Sequence, residues 1–389
     1  MKKIIGALLF LFTILITHSA LADNTNGFAN YLNNFTFDFY HKINSQNENT
    51  ISSPYSVASL LGILAQGADG NTRAQLIQVL HLEKFNNINN IQTEFDKINT
   101  SDFLLANSLW AAQNFNYKSS FLDLLKKSNS NHFFTLDFSK DPEKSRQTIN
   151  KWVEDNTKGK IQNLINKDEI SNGTKLVLTN AIYFKGLWDS PFKKEYTEPK
   201  SFASLKGNIQ VPMMEQTNDF MYSEDDKLQM LQLPYEKTNL AMLILLPKTK
   251  HTLNEIIETL NFSVMSQLLH KATNVQVHIN LPRFKFESRF DSLDQVIKTL
   301  GVTDAFNPDK ANFSNITTSP LIISKIIQKA VIEVDEKGTV AAAATSIIMP
   351  AGASIPMPSI EFNANHPFLF LIYDKSSELV LFIGQVVAP

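Results

Sequence analysis

The sequence predicts an α+β protein, with helices in the first third of the chain and mostly strands in the centre and at the end. Apolar residues recur at helical spacing near the N-terminus, at Phe28, Tyr31, Leu32, Phe35 and Phe39. From residue 175 onward, runs of β-branched and aromatic residues are bounded by turn residues, which is typical of strands. Helices followed by strands favour an α+β arrangement over an alternating parallel design.

Individual elements follow from the same periodicities. After the first amphipathic segment, the pattern predicts helices over 56–64, 74–80 (with Thr72 as the N-cap), 121–127 and 149–157. It predicts strands over 175–184, 229–233, 240–246, 275–286, 321–334, 368–373 and 379–386. No internal repeat or low-complexity linker divides the chain, so one large domain over residues 23–389 is expected.

The first 22 residues predict a secretory signal peptide. Lys2 and Lys3 form a basic start, an apolar run over 4–16 follows, and Ala20-Leu21-Ala22 is a small-x-small cleavage pattern. The apolar run is short for a membrane span, so an uncleaved anchor is the weaker alternative. We therefore expect a secreted protein, either extracellular or periplasmic.

Composition excludes several classes of function. The formal net charge is −2, and removal of the two leader lysines makes it more negative, which argues against nucleic acid or an anionic membrane as partner. The chain has no cysteine, which excludes disulfides and thiolate metal sites. We found no nucleophile elbow, zinc-protease motif or phosphate-cradling glycine loop, and no histidine has a second metal-type ligand at a recognisable spacing. These observations predict no cofactor, no metal and no catalytic residue.

Several motifs carry a resemblance that covers nearly the whole mature chain. They include NTISSPYSVASLLGILAQGADGNT, INKWVEDNTKGKIQNLI and LVLTNAIYFKGLWDSPF, which begin at Asn49, Ile149 and Leu176. LPRFKFES, LGVTDAFNPDKANFS, EKGTVAAAAT and HPFLFLI then follow in order. The chain resembles the serpins, a superfamily of serine protease inhibitors. The resemblance implies a single serpin domain with a large central mixed sheet, smaller sheets and an exposed reactive-centre loop at about 336–360.

In serpins this loop is cut by a protease and then enters the central sheet as a new strand. Composition alone would also fit a disordered Ala/Pro linker, but the strands that follow argue against it. The resemblance makes Glu336, Gly338 and Thr339 part of the hinge. Thr339, Ala341, Ala343 and Thr345 would share the inward face of the inserted strand. From Thr339 to Met349 the chain has neither proline nor charge, either of which would obstruct a central strand.

The family spacing from Glu336 places the reactive bond at Gly352-Ala353. A one-residue slip gives Ala351-Gly352 or Ala353-Ser354, and Met349-Pro350 is disfavoured because proline follows the cut. These small side chains suit a protease with a shallow specificity pocket, such as an elastase-like or subtilisin-like enzyme.

The resemblance also assigns supporting residues. Ser53, Ser56 and Asn180 would lie beneath the point where the sheet opens, and Gln328 replaces the histidine usual in the late strand. Because Gln both donates and accepts hydrogen bonds, the network can survive the replacement. Trp188 would lie at the top of the sheet, with ordinary core packing as the alternative. Val340 replaces a glutamate common in the family, and it would face outward.

The expected function is suicide-type inhibition of a serine protease through a covalent complex, by a monomer that is not itself an enzyme. Three alternatives stay open, namely a non-inhibitory serpin acting as a binding or chaperone module, inhibition of a cysteine protease, and a secreted hydrolase, for which no local motif speaks. The segment after Leu80 lacks a row of Lys and Arg, so no heparin-type site is expected there.

Overall fold

A computed structural model of the chain describes residues 27–88, 91–97, 103–126, 131–339 and 359–389. Nine α-helices lie in these residues. They are α1 (27–43), α2 (Pro54–Gly67), α3 (Gly70–Val79), α4 (Ile91–Asp96), α5 (Ser119–Lys126), α6 (Pro142–Asn156), α7 (Leu253–Thr259), α8 (Phe262–Lys271) and α9 (Leu293–Thr299). None of the helices in the described residues is long and apolar enough to span a bilayer. The expected signal peptide lies outside these residues and stays a prediction.

Sixteen strands make up three sheets in the same residues. The strands are β1 (Thr50–Ser52), β2 (Phe103–Ala112), β3 (Asn131–Leu136), β4 (Leu176–Phe184), β5 (Gly186–Leu187), β6 (Glu198–Ser204), β7 (Gly207–Glu224), β8 (Leu228–Pro234), β9 (Leu240–Pro247), β10 (Thr273–Pro282), β11 (Phe284–Phe290), β12 (Lys325–Val334), β13 (Gly338–Thr339), β14 (Ile360–Asn363), β15 (Phe368–Asp374) and β16 (Val380–Val386). The largest sheet runs β1-β16-β15-β9-β8-β7-β10-β14, with β6 paired to β7.

The second sheet has the order β11-β12-β4-β2-β3, and β5 pairs with β13 in the third. The five-stranded sheet is mixed. β11 is antiparallel to β12 and β2 is antiparallel to β4, whereas β12 runs parallel to β4 and β2 runs parallel to β3. The predicted α+β class and the mixed sheet are confirmed.

Helix α2 lies behind the five-stranded sheet and forms because its start is well specified. Ser53 is the N-cap and accepts a hydrogen bond from the Ser56 amide, and Pro54 occupies the first helical position. Every residue of α2 except Gln66 is buried. A helix that is apolar on all sides in this way belongs inside a core.

Three apolar clusters hold the layers together. The first lies between the sheets and includes α2, the second packs α1, α7 and α8 on the large sheet, and the third packs α6 on the outer face of the five-stranded sheet. In the third cluster, Ile149 and Val153 of α6 meet Trp110, Ala181 and Ile327. Both faces of the five-stranded sheet are therefore covered.

The sequence predicted one strand over 275–286, which is wrong in one respect. Two strands, which belong to two different sheets, occupy this range. β10 ends at Pro282, β11 begins at Phe284, and Arg283 turns the chain between the sheets. A proline lacks the amide that a strand needs to continue its ladder.

Two further expectations are wrong. Asp69, not Thr72, is the N-cap of α3, because Thr72 lies inside the helix and accepts a hydrogen bond from the Asn312 amide at 3.0 Å. The first third is also not wholly helical, since β1 and β2 lie within it. β2 is buried on both faces over much of its length, which removes the alternation by which a strand is recognised.

Candidate functional site

The candidate site is the junction between β4 and β12, two parallel neighbours in the five-stranded sheet. Seven residue pairs join them, from Lys325–Val177 to Val331–Tyr183, and we call this pairing the seam. Beyond Val331 the two strands are no longer paired with each other, although β12 stays paired with β11 up to Val334. The seam therefore opens into a mouth at one end of the sheet.

The chain leaving β12 turns back into this mouth. Asp335 bridges to Gly338, and β13 then pairs antiparallel with β5, Gly338 opposite Leu187 and Thr339 opposite Gly186. β5 follows β4 after one residue. Gly338 and Thr339 thus start a strand that is antiparallel to β5 on one side of the mouth and to the end of the β12 segment, at Asp335, on the other.

Gly338 is required by this turn. Its φ is +148°, and a Cβ on it would meet the Gly186 carbonyl and lie 2.7 Å from Leu187 Cα. No side chain fits at that distance, and the backbone angle itself favours glycine. The hinge, residues 335–339, can therefore approach β5 closely only because position 338 has no side chain.

Aromatic residues line the mouth beneath the hinge. Trp188 stacks on Tyr235 with ring centroids 4.7 Å apart, and its indole donates to the Asp335 carbonyl at 3.0 Å. The Tyr235 hydroxyl is 2.8 Å from the Thr339 hydroxyl, and both side chains are buried. The first inward residue of the hinge already occupies a core position.

An ion pair between buried Glu336 and half-buried Arg283 fastens the hinge. The Glu336 carboxylate accepts hydrogen bonds from the Arg283 guanidinium and from the Thr197 hydroxyl, the latter at 2.5 Å. The Glu336 carbonyl also accepts from the Phe192 amide at 2.8 Å. Burial by itself would raise the pKa of the Glu336 carboxyl, but the hydrogen bonds from Arg283 and Thr197 outweigh it and hold that pKa below its ordinary value. The carboxylate is thus ionised at neutral pH and ties the hinge to the large sheet.

A row of polar side chains crosses the sheet under the middle of the seam. Gln328 of β12 lies opposite Asn180 of β4, which lies opposite Asn107 of β2. Gln328 donates to Asn180 Oδ1 at 2.5 Å, and Asn180 donates in turn to Asn107 Oδ1. All three side chains are fully buried. We call this row, together with the serines described next, the polar ladder.

Serines at the start of α2 complete the polar ladder. Gln328 Oε1 accepts from the Ser52 hydroxyl and from the Ser53 amide, and Gln328 Nε2 donates to the Ser53 carbonyl at 2.9 Å. The Ser56 hydroxyl donates to the Ser53 hydroxyl, which donates to the Leu381 carbonyl at 2.7 Å. Both ends of the Gln328 amide are therefore satisfied, and the ladder contains no group that titrates near neutral pH.

A strap, residues 161–170, follows α6 and crosses the outer face of the seam. On one side it is tied to α6, because Asn150 exchanges two hydrogen bonds of 2.8 Å with the Ile165 backbone.

On the other side the strap is tied to β11 and β12. Arg289 of β11 donates to the Leu164 carbonyl and pairs with Glu169 at 2.5 Å. Lys325 and Lys329 of β12 reach Glu169 and the Gln162 carbonyl at 3.5 and 3.3 Å. Separating β4 from β12 would strain or break these ties.

Comparisons with known proteins bear on this arrangement. The family model "Serpin (serine protease inhibitor)" matches residues 30–389. An uncharacterized serpin-like protein of Methanosarcina mazei is 36% identical over 95% of this chain and 89% of its own length. The human leukocyte elastase inhibitor is 36% identical over 91% of this chain and 97% of its own.

The chain belongs to the serpin family. The structure of native protease nexin-1 with heparin matches it with a TM-score of 0.83 and 31% identity, over 94% of this chain and 100% of that one. The predicted serpin fold is thus confirmed. Some relatives of this serpin are protease inhibitors, as the name of the elastase inhibitor states.

The structure of this serpin places its expected site residues in two groups. Ser53, Ser56, Asn180 and Gln328 meet in the polar ladder, while Trp188 lies at the mouth with Glu336, Gly338 and Thr339. The remaining loop positions fall on residues 340–358, outside the described residues, and stay predictions. They are Val340, Ala341, Ala343, Thr345, Met349, Ala351, Gly352, Ala353 and Ser354.

Sequence reasoning missed five residues of the site. They are Ser52, Asn107, Thr197, Tyr235 and Arg283. Asn107 carried a usable signal, because an asparagine inside an apolar strand is disfavoured unless it has a specific partner. The position of Arg283 carried none, because its distance from Glu336 depends on how the two sheets pack.

Replacing Gln328 by Met should destabilise the native serpin. The substitution preserves shape but leaves Asn180 Oδ1, the Ser53 carbonyl and the Ser52 hydroxyl without their partner. We expect a loss of about 2–4 kcal/mol in the free energy of unfolding, measured in urea. Gln295→Met, at an exposed position of α9, is the control and should change stability by less than about 0.5 kcal/mol. Equal small effects from both variants would contradict the role of the polar ladder.

Replacing Glu336 by Gln should have an effect that depends on pH. Because the pKa of Glu336 in the native state lies below its ordinary value of 4.5, its ionised form stabilises the native state at pH 7. That contribution is lost as the pH falls from 4.5 through the lower native-state pKa. Urea unfolding should show the variant to be about 1–2 kcal/mol less stable at pH 7, with the difference shrinking in acid.

Glu258→Gln on the exposed face of α7 is the control for Glu336→Gln and should alter stability little at either pH. The difference in the free energy of unfolding between Glu336→Gln and the parent could instead stay constant from pH 7 into acid. That result would show that the ion pair with Arg283 contributes nothing through its charge.

Proposed function

We propose that this serpin is a secreted suicide-type inhibitor of serine proteases with shallow specificity pockets, elastase-like or subtilisin-like. A target protease would cut the loop and become attached as an acyl-enzyme, and insertion of the loop into the seam would trap it. The observation that carries this proposal is the position of the hinge. Gly338 and Thr339 already stand at the mouth of a parallel seam, in the orientation of a strand about to enter it.

The hinge is paired with β5 on one side and bridged to the end of β12 on the other. The two registers were obtained independently, and both support insertion. Thr339 lies opposite Gly186, and continuing that antiparallel register would place Thr345 opposite Asn180. The bridge between Asp335 and Gly338 gives a second register, which would place Thr345 opposite Gln328. Asn180 and Gln328 face each other across the closed seam, so both registers describe the same inserted strand.

The length of the loop also fits the seam. In this register Ala342 would lie between Val331 and Tyr183, the pair nearest the mouth, and Ile348 between Lys325 and Val177, the pair farthest from it. The stretch from Thr339 to Met349 has neither charge nor proline, and Pro350 follows it. The part of the loop able to form a strand therefore ends at Met349, one residue beyond the last pair of the seam and three residues before Gly352 of the proposed reactive bond.

The energy of insertion follows from hydrogen-bond geometry. One parallel pairing, which is the less stable kind per residue, would be replaced by two antiparallel pairings. A net gain of about ten ladder hydrogen bonds at ~1 kcal/mol each gives on the order of 10 kcal/mol. That is comparable to the stability of a whole domain and is enough to move an attached protease and distort its active site.

The choice of target class rests on the residues around the proposed bond. Ala351, Gly352, Ala353 and Ser354 present small side chains, and the loop has no Lys or Arg near the cut. This pattern does not suit a trypsin-like pocket, whose buried acid requires a basic residue. The similarity to the human leukocyte elastase inhibitor supports the same class.

Mixing the purified protein with elastase, subtilisin, trypsin and chymotrypsin tests the proposal. Denaturing gels should show a covalent adduct with elastase or subtilisin, and mass spectrometry of the released peptide should place the cut at Gly352-Ala353 or one residue away. Cleaved protein should melt at a markedly higher temperature than intact protein. A binding module would give neither adduct nor stabilisation, and a cysteine protease inhibitor would form its adduct with papain instead.

Replacing Thr339 by Arg should convert the inhibitor into a substrate. The Thr339 side chain is already buried against Tyr235 in the closed hinge, so an arginine there would be expelled from the mouth, and its charge would have to be desolvated before the strand could enter. Insertion would become slower than hydrolysis of the acyl-enzyme, so the protease would be released. Gel densitometry should show the covalent fraction falling at least about tenfold, with cleaved monomer rising.

Val340→Arg is the matched control for this variant. In the same register Val340 would face away from the core, between exposed Lys185 and half-buried Glu333, and the covalent fraction should stay near that of the parent. If Thr339→Arg still gave full covalent complex, the proposed insertion would be wrong.

A further inference from the structure

The end of the seam opposite the mouth is closed by contacts of its own. In the plane of the sheet, the Ser324 amide donates to the Leu176 carbonyl at 2.8 Å, and the Ser324 hydroxyl accepts from the Lys175 amide at 2.9 Å. These hydrogen bonds join the residue before β12 to the start of β4, one step beyond the last pair of the seam. The far end is therefore held by more than the pairing of the two strands.

Glu169 of the strap adds a second contact on the outer face. Its carboxylate accepts from the Arg289 guanidinium of β11 at 2.5 Å, and its other oxygen lies 3.5 Å from Lys325 Nζ of β12. The Asn166 amide donates at 2.7 Å to the oxygen that Arg289 reaches, which orients the carboxylate. The side chains of Glu169, Arg289 and Lys325 are only 15, 19 and 23% exposed, so salt screens this contact less than an ion pair on the open surface.

The position of Glu169 in the chain makes its contact span the seam. Residues 170–175 connect Glu169 to β4, and two hydrogen bonds of 3.0 Å between Ser171 and Thr174 close the turn within them. The two cations belong to β11 and β12, which lie on the other side of the seam. The ion pair therefore ties the start of β4 to its parallel neighbour.

We propose that four residues form a clamp at the far end of the seam, which opposes only the last step of loop insertion. The residues of this far-end clamp are Glu169, Arg289, Ser324 and Lys325. Glu169 is then a positioning residue for the trapping of a protease, an inference that rests on the proposed function.

The register of the hinge places the clamp at the end of the insertion path. Continued in either register, the loop would bring Met349 between Ser324 and Leu176. Its arrival would part the hydrogen bond between those two residues and draw the start of β4 away from the two cations of the clamp. Pro350 follows and has no amide to continue a ladder, so the inserted strand would end there.

Earlier residues of the loop would leave the clamp undisturbed. Residues 339–344 would lie between the mouth and the polar ladder, since Thr345 falls at Asn180 and Gln328. Local opening at the mouth therefore leaves the far end paired, and the closed form can recover from it. Only a strand that has already passed the polar ladder reaches the clamp, so breaking the clamp is the step that completes the travel of an attached protease.

Hydrogen exchange of the intact protein tests the clamp without any protease. Glu169→Gln keeps the shape of the side chain but removes its charge, and it should speed amide exchange in residues 324–327 at least about threefold. Residues 330–334, near the mouth, should exchange as in the parent. Equal exchange of residues 324–327 in parent and variant, or equal acceleration of both segments, would overturn the clamp.

Glu287→Gln is the matched control. Glu287 of β11 pairs with Lys329 of β12 at 2.9 Å, so the variant loses an ion pair that lies on one side of the seam only. Exchange of residues 324–327 should then stay as in the parent, and an acceleration equal to that of Glu169→Gln would contradict the clamp.

Salt tests the ionic part of the clamp on the parent protein itself. Raising NaCl to about 1 M should bring exchange of residues 324–327 in the parent toward that of Glu169→Gln, while the variant changes little. An equal response of parent and variant to salt would show that the Glu169 carboxylate does not hold the far end through its charge.

Synthetic peptides with the sequence of the loop test whether the clamp acts late. A peptide of residues 344–349 should bind Glu169→Gln at least about threefold faster than the parent, because its place in the seam lies at the clamp. A peptide of residues 339–344, which has the same length, should bind both proteins at the same rate. Equal rates for the first peptide, or faster binding of both peptides to the variant, would overturn the late action of the clamp. If neither peptide binds either protein, the seam accepts no strand and the proposed function is at fault, whereas hydrogen exchange still decides the clamp.

Discussion

The parallel pairing of β4 with β12 is the constraint on which the rest of the structure depends. Each strand has an antiparallel partner on its other edge, β2 and β11, so the sheet is regular except at the seam. Between two parallel strands there is one orientation in which a third strand can be antiparallel to both, and the hinge after β12 turns into it at Gly338. In the proposed mechanism, the inserted loop would give β4 and β12 a more stable pairing than the closed seam gives them.

Three sets of contacts keep the seam closed, and they differ in kind. The polar ladder joins β4 and β12 from beneath through neutral hydrogen bonds in full burial, where each bond lost leaves a desolvated group. The strap crosses the outer face through partly exposed ion pairs at Arg289 and Lys325, which salt weakens. At the mouth, Glu336 and Arg283 hold the hinge itself. Closure is thus distributed over both faces and one end of the seam.

Sequence reasoning reached the family, the fold class and most of the polar ladder, because these depend on motifs and on local periodicity. It grouped Ser53, Ser56, Asn180 and Gln328, and the structure joins these side chains by hydrogen bonds, whereas their role beneath an opening sheet stays a prediction. It did not find Arg283, Thr197 or Tyr235, since their contacts with the hinge join segments that lie far apart in the sequence. It also misread β2, whose buried faces show no alternation, and it joined β10 to β11 because the change of sheet at Arg283 leaves the apolar pattern continuous.

In the proposed mechanism, the polar ladder would also limit which loop sequences can enter the seam. Insertion at the proposed register would part Gln328 from Asn180, and each buried amide would then need a new partner. On the inward face of the inserted strand, alternation would bring Ala341, Ala343, Thr345 and Ile347 to the core, and Thr345 would lie between the two amides. Its hydroxyl both donates and accepts, so it could bond to each of them. An alanine there would fit as well by size but would leave both amides unsatisfied, so the position needs a small residue that carries a hydroxyl.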